Sequence, residues 1–517
     1  MLYLSFIFHM HQPYYKDILT QESPVPWVRL HGTKDYLDMV AILKNYPKIH
    51  QTFNVVPSLL EQIDDYLNRN VKDKYLHLSY KEAAALTSEE KKFIINNFFS
   101  INKEKVILFH PRYYDLYLKR QKNQAFNTQD YLDLQVWFNL AWIDPTTRNS
   151  FEDLKRILVK ERFFTEEEKH LVLDKHLEIL EEIIPTYKKF LESGQIELTT
   201  NPYYHPILPL LCNTRTARQA NRRTLLPELN FQYPQDAKSQ VDEAVKFHKE
   251  KFGVLPLGMW PSEESVSERI VPGLIESGIK WIVTDEAILF KSLKLKNRDT
   301  TLLYQPHLLK RKCGNLTVIF RDRNLSDLIG FNYSNMDSSE AAEDFMAHLK
   351  NISTAFKDKD ILVTIAMDGE NAWEYFRYDG HEFLNELYSR LSEADYIKVV
   401  TVSEYLKMFE PSNNIKRLCA GSWIFGNFDK WMNNRHKVKA WEYLALARAK
   451  LEEARGSLDK EKLELAAKQI HIAEGSDWFW WYGEDPTGDF DKMFRMHLSN
   501  FYRIIGKDIP GYLEREI

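Results

Sequence analysis

The run ILVTIAM at residues 361–367 constrains the chain most. It is apolar at nearly every position, so an extended strand there has to be covered on both faces. That covering is typical of parallel sheets flanked by helices. Comparable short runs recur at Leu2–Phe8, Thr52–Val56, Gln195–Thr199, Leu257–Trp260, Trp281–Thr284, Thr317–Arg321 and Ile397–Thr401. Helical stretches separate them, which predicts βαβ units and a parallel sheet. Val106–Phe109 and Leu134–Phe138 are weaker strand candidates. The fold class expected is α/β, an irregular β/α barrel followed by a helical bundle.

Two regions depart from this alternation. From about 60 to 190, segments such as SEEKKFIINNFFS and FTEEEKHLVLDKHLEILEEIIPTYKKFLESG carry helical periodicity with charged faces, and Gly194 is placed to end the second. This reads as a largely helical insertion in a barrel that spans 1–400. Beyond about 405 strand signals fade. HKVKAWEYLALARAKLEEARG, DKEKLELAAKQIHIAEG and Phe490–Ile505 predict a C-terminal helical domain over 401–517.

Charge removes several functional classes. The 69 basic and 74 acidic residues leave a net charge of −5, with no basic footprint for nucleic acid and no polybasic run for a membrane surface. No apolar stretch reaches the roughly 18 residues of a membrane span. The N-terminal MLYLSFIFHMHQPYY lacks the basic region and cleavage site of a signal peptide. Cys212, Cys313 and Cys419 are widely spaced and odd in number, which fits a reducing, cytoplasmic compartment. The 12 Trp and 27 Tyr point mildly to carbohydrate, because sugar rings stack their C–H faces on such side chains.

In a β/α barrel the active site lies at the C-terminal ends of the strands. His9 and His11 follow the first strand at strand spacing, a pattern that fits substrate binding, packing or a metal. His205 lies in a proline-bracketed turn after Gln195–Thr199. Glu263 and Glu264 follow Leu257–Trp260, where Ser262 could cap a helix and the two acids would favour its N-terminal end. Asp368 stands directly after the buried strand, where a carboxylate is costly unless paired or used. Gly421–Trp423, Asn427, Asp429 and the run Asp477–Asp485 mix aromatic and polar residues. That mixture suits sugar stacking, and in the 478–482 run it also suits a domain interface. Hydrolysis of a glycosidic bond needs two carboxyls flanking it, and Glu263 and Asp368 could supply them.

Five separated blocks, HMHQPY, GQIELTTNPYYHPILP, GMWPSEESV, AMDGENAWEYF and AGSWIFGNFDKW, occur in this order and together resemble glycoside hydrolase family 57. DGENAWE and SDWFWWYGED are most similar to its amylopullulanase and α-amylase group, although Ala372 stands where many amylopullulanases have proline. The resemblance implies an irregular (β/α)7 barrel and a helical region that closes over the substrate cleft. It implies a retaining hydrolase of α-1,4 and some α-1,6 links in starch, glycogen, pullulan or maltooligosaccharides. Glu263 would be the nucleophile and Asp368 the general acid/base. His11, His205, Trp260, Trp373, Trp423 and Asp429 would bind the glucan. No cofactor and no catalytic metal are expected, and a structural calcium ion is compatible with the family. A 4-α-glucanotransferase or branching enzyme would use the same pair. The other rivals are a metal-dependent hydrolase using His9, His11 and Asp368 with His205 and His307, and a non-catalytic glucan-binding protein.

Overall fold

A computed structural model describes residues 1–517. All eight main strand expectations fall on strands: Leu2–Met10, Gln51–Val55, Ile196–Thr199, Gly258–Met259, Trp281–Asp285, Gly314–Arg321, Ile361–Asp368 and Ile397–Val399. Leu2–Met10 is central to one sheet. It pairs in parallel with Ile361–Asp368 on one side and with Gln51–Val55 on the other, and Ile196–Thr199 extends the sheet. Ile397–Val399 pairs with its first residues, Leu2–Leu4. Every residue of Leu2–Met10 is buried, as a central parallel strand requires.

A second sheet holds Gly258–Met259, Trp281–Asp285, Gly314–Arg321, the strand His307–Arg311 and the short Asn413–Asn414. His307–Arg311 was not expected. It pairs antiparallel with Gly314–Arg321, and its polar ends KR and GN hide the strand period. The sheets meet along one edge through a parallel bridge, where Trp260 N–H donates to the Thr200 carbonyl at 3.1 Å. Along the other, Asp322 N–H donates to the Thr364 carbonyl at 2.8 Å, without a continuous ladder. The architecture is therefore mixed α/β in two abutting, largely parallel sheets.

The two weaker strand candidates are helical. Residues 107–109 form a single 3-10 turn, and 134–138 lie inside the helix Thr128–Ala141. Asn127 and Asp130 cap that helix reciprocally. It is buried nearly all round, so its apolar run has no helical stripe to betray it. It belongs to a separate core of 26 residues drawn almost wholly from the helices between 75 and 179. The predicted helices at Glu166–Glu192, Arg435–Ala454, Lys460–Ala473 and Asp489–Ile504 all form. The last three bury Trp441, Ile470 and Phe501 in the main core of 99 residues, which also covers the first sheet. No helix is long and apolar enough to cross a membrane.

Candidate active site

The site is built where strands end. Asp368 closes Ile361–Asp368 and stands in register opposite His9, near the end of Leu2–Met10. The next residue, Gly369, donates its N–H to the His9 carbonyl at 2.8 Å, and a side chain there would collide with Met10. The Asp368 carboxyl is open to the cleft and accepts a hydrogen bond from the Asn371 amide at 3.2 Å.

Glu263 is presented differently from the expectation for a helix-capping acid. No helix begins at Ser262; the next one starts at Val271. Instead Ser262–Glu264 forms one tight turn in which Glu263 and Glu264 adopt left-handed backbone angles, φ 58° and 52°. Strain of about 1–3 kcal/mol per such residue survives only where neighbours impose it. Here Ser262 Oγ donates to Asn201 Oδ1 at 2.7 Å, and Asn201 Nδ2 donates to the Trp260 carbonyl at 2.7 Å. On the far side, Val266 bridges Gly421. The turn sends the two acids apart. Glu264 is buried against Arg321, 3.5 Å away, while Glu263 accepts a hydrogen bond from Trp423 Nε1 at 2.8 Å.

A chain of imidazoles lines the floor. His9 Nδ1 lies 2.7 Å from Asn54 Oδ1, which can only accept, so the proton is on Nδ1. His9 Nε2 therefore accepts from His205 Nε2, 3.1 Å away, and His205 Nδ1 accepts from the Ser476 hydroxyl at 2.8 Å. Burial holds His9 down to about 3 and His205 well below the ordinary value, so both rings are neutral at neutral pH. His205 adopts φ 58°, a strained angle imposed in part by its backbone bond to Ser476. His11 stacks on His205 with ring centres 3.8 Å apart and points Nε2 at the Asp477 carboxylate, 3.0 Å away.

The carboxyls sense one another. Burial raises Glu263 to about 8; the Trp423 hydrogen bond opposes this, and the charges of Asp368 and Asp477 add to it. Asp368, though open to the cleft, is raised as well by loss of water around it, offset by Asn371, His11 and Arg321. Glu263, Asp368, His11 and Asp477 thus share one electrostatic field, although they come from four distant parts of the chain.

Other expected ligand residues are placed less uniformly. Trp260 is buried and stacks on His9, with centres 5.0 Å apart. Trp423 lies beside Trp480 and under the Arg321 guanidinium. Asp429 spends both carboxylate oxygens on protein, accepting from Asn221 and Thr224 at 2.6 Å each. Trp373 is a correction to the stacking expectation. It is 1% exposed, packs on Phe8 and Phe376, and donates its indole N–H to the Gly369 carbonyl, so it offers a sugar no face. For the metal alternative, ligand atoms of His9, His11 and His205 lie within 4.8 Å of one another, but both His9 nitrogens already have protein partners. His307 is elsewhere, bonded to the Leu302 carbonyl.

Ser476, Asn54 and Arg321 are site residues that sequence reasoning missed, and Asp477, which opens the mixed run Asp477–Asp485, has no local signal for its bond to His11. Arg321 closes a strand, the one local signal that could have found it.

The family model for glycosyl hydrolase family 57 matches residues 5–416. The chain is 30% identical over 140 residues to "Alpha-amylase 1" of Dictyoglomus thermophilum, covering 27% of this chain and 17% of that one. It is 22% identical over 337 residues to "Putative alpha-amylase" of Methanocaldococcus jannaschii, covering 64% of each. Its matches thus span less than two thirds of these relatives' length. The fold superposes on a GH57-type branching enzyme from Pyrococcus horikoshii with TM-score 0.65 and 17% identity, covering 97% of this chain and 89% of that one. It superposes on the α-amylase AmyC from Thermotoga maritima with TM-score 0.60 and 13% identity, covering 97% and 92%.

Proposed function

Since the chain belongs to glycosyl hydrolase family 57, we propose that it cleaves α-glucosidic bonds with retention, with Glu263 as nucleophile and Asp368 as general acid/base. The observation that carries this is the pairing itself. Two carboxyls from different strand ends, each raised from its ordinary value by loss of water, lie so that the Asp368 charge acts on Glu263. Retention needs two carboxyls facing each other about 5–5.5 Å apart, the separation this reading requires of Glu263 and Asp368.

Glu263 attacks the anomeric carbon while Asp368 gives its proton to the leaving oxygen. Asp368 then takes a proton from water, which hydrolyses the glycosyl-enzyme. The Trp423 N–H and nearby Lys430 favour the ionised form of Glu263. His11, its Nε2 held by Asp477 and its Nδ1 unpartnered, bonds a hydroxyl of the bound glucosyl unit, while His205, both nitrogens of which are held by His9 and Ser476, fixes the His11 ring by stacking on it. Trp260 and Trp423 pack around that unit, and Asp429 acts by holding the Trp423 loop.

The ring of strands, with sheets that abut on both edges, supports reading residues 1–400 as an irregular (β/α)7 barrel with a helical insertion at about 60–190. The helices over 401–517 are a C-terminal domain whose Trp423, Ser476 and Asp477 complete the cleft. The substrate is an α-glucan such as starch, glycogen, pullulan or maltooligosaccharides, and the chemistry calls on no metal. Transfer to a second glucan would use the same pair. Product analysis on maltooligosaccharides and pullulan tests the reading. Shortened products alone mean hydrolysis, longer ones mean transfer, and unchanged turnover in Glu263→Gln would refute both.

A further inference from the structure

A second cleft lies behind the acid/base loop, and none of Glu263, Asp368, His11 or Asp477 lines it. It is an open cleft between the helical insertion and the segment 373–379, which begins five residues past Asp368.

Its walls have the composition of a sugar site. Phe109 and Tyr378 stand at the mouth, 56% and 49% exposed, where a large aromatic ring has no packing reason to be. Arg377 lies against the Tyr378 ring at 4.8 Å and holds its orientation. Two deeper groups are unpartnered, Asp379 Oδ2 and Arg148 Nε, and both residues are more than nine-tenths buried. A buried polar atom without a partner costs about 1–3 kcal/mol. Tyr378 and Asp379 also hold left-handed angles, φ 47° and 59°, so the segment that carries them is strained as well.

The two orphans have opposite needs. Asp379 wants a donor and Arg148 wants an acceptor. A neutral polyhydroxyl compound supplies donors and acceptors together and presents C–H faces to Phe109 and Tyr378. We propose that this cleft is a second glucan-binding site, for part of a maltooligosaccharide or longer α-glucan. That it takes α-glucan rather than another sugar rests on the catalytic reading above.

Calorimetric titration of the full chain carrying Glu263→Gln with maltoheptaose tests it. Two binding events are expected, and adding Phe109→Ala or Tyr378→Ala should weaken one of them by about tenfold or more. Both rings are exposed, so the variants should fold, and their thermal melts check that. One event insensitive to both substitutions, or two events both insensitive, overturns the proposal while leaving the catalytic reading intact. One event that Phe109→Ala abolishes, together with no turnover of maltoheptaose by the unmodified protein, upholds this cleft and refutes the catalytic reading. No binding at all refutes the second site outright.

Discussion

Replacing Glu263 by glutamine should abolish turnover and stabilise the fold, and the gain should depend on pH. Burial lifts this carboxyl from its ordinary 4.5 to about 8. Between those values the folded protein keeps the proton while the unfolded chain has lost it. Folding stability of the unmodified protein therefore falls as pH rises through that window. At about 1.4 kcal/mol per pH unit the ceiling is roughly 3 kcal/mol at pH 7 and about 5 kcal/mol above pH 8. Glu263 retains some contact with cleft water, which screens part of this, so ~1–2 kcal/mol at pH 7 is a fair expectation. Glutamine pays no such cost and can still accept from Trp423 Nε1. Thermal or denaturant unfolding of both proteins from pH 4.5 to 8.5 should show curves that coincide at the acid end and diverge upwards, with Glu263→Gln a few degrees higher at pH 8. Equal stability at pH 8, or a larger difference at pH 5 than at pH 8, would refute the reasoning.

Four further outcomes follow from the same geometry. Asp368→Asn removes a charge that raises Glu263, so the Glu263 titration, followed by the pH dependence of its reaction with a carbodiimide, should move to lower pH. Trp423→Phe removes the hydrogen bond that opposes burial, so the acid limb of the kcat/KM profile should move to higher pH with the fold intact. Asp477→Asn leaves His11 without its carboxylate, and kcat/KM should fall by about 10–100-fold, a loss of ~1.4–2.7 kcal/mol, with little change in melting temperature. Trp373→Ala empties a fully buried site and should cost about 3–5 kcal/mol in denaturant unfolding, whereas Trp373→Phe should keep most of the activity, as expected of a packing residue.

The local rules carried far in this chain. Short, near-continuous apolar runs and the helix signals between them located eight strands and the long helices, because backbone pattern and capping are decided by residues a few positions apart. The ordered blocks also brought Glu263 and Asp368 together as a pair before any geometry was known. Local reasoning failed at 134–138, where a helix buried on all sides lacks a polar face, and at Trp373, whose position beside the acid said nothing of which way its ring points. It failed at Ser262 too, because a left-handed turn held by Asn201 and Gly421 leaves no mark on the sequence around it.

What only the tertiary structure decided is the state of each group in the site. His11 meets Asp477 across 466 positions, His9 meets His205 across 196, and Trp423 meets Glu263 across 160. No periodicity links residues so far apart; packing of strands and helices does. The sequence by itself determined which carboxyls stand at strand ends. The fold determined that one of them is raised to about 8, that the imidazoles beside them are neutral, and which indole donates to the nucleophile, because burial and hydrogen-bond partners are properties of the assembled core.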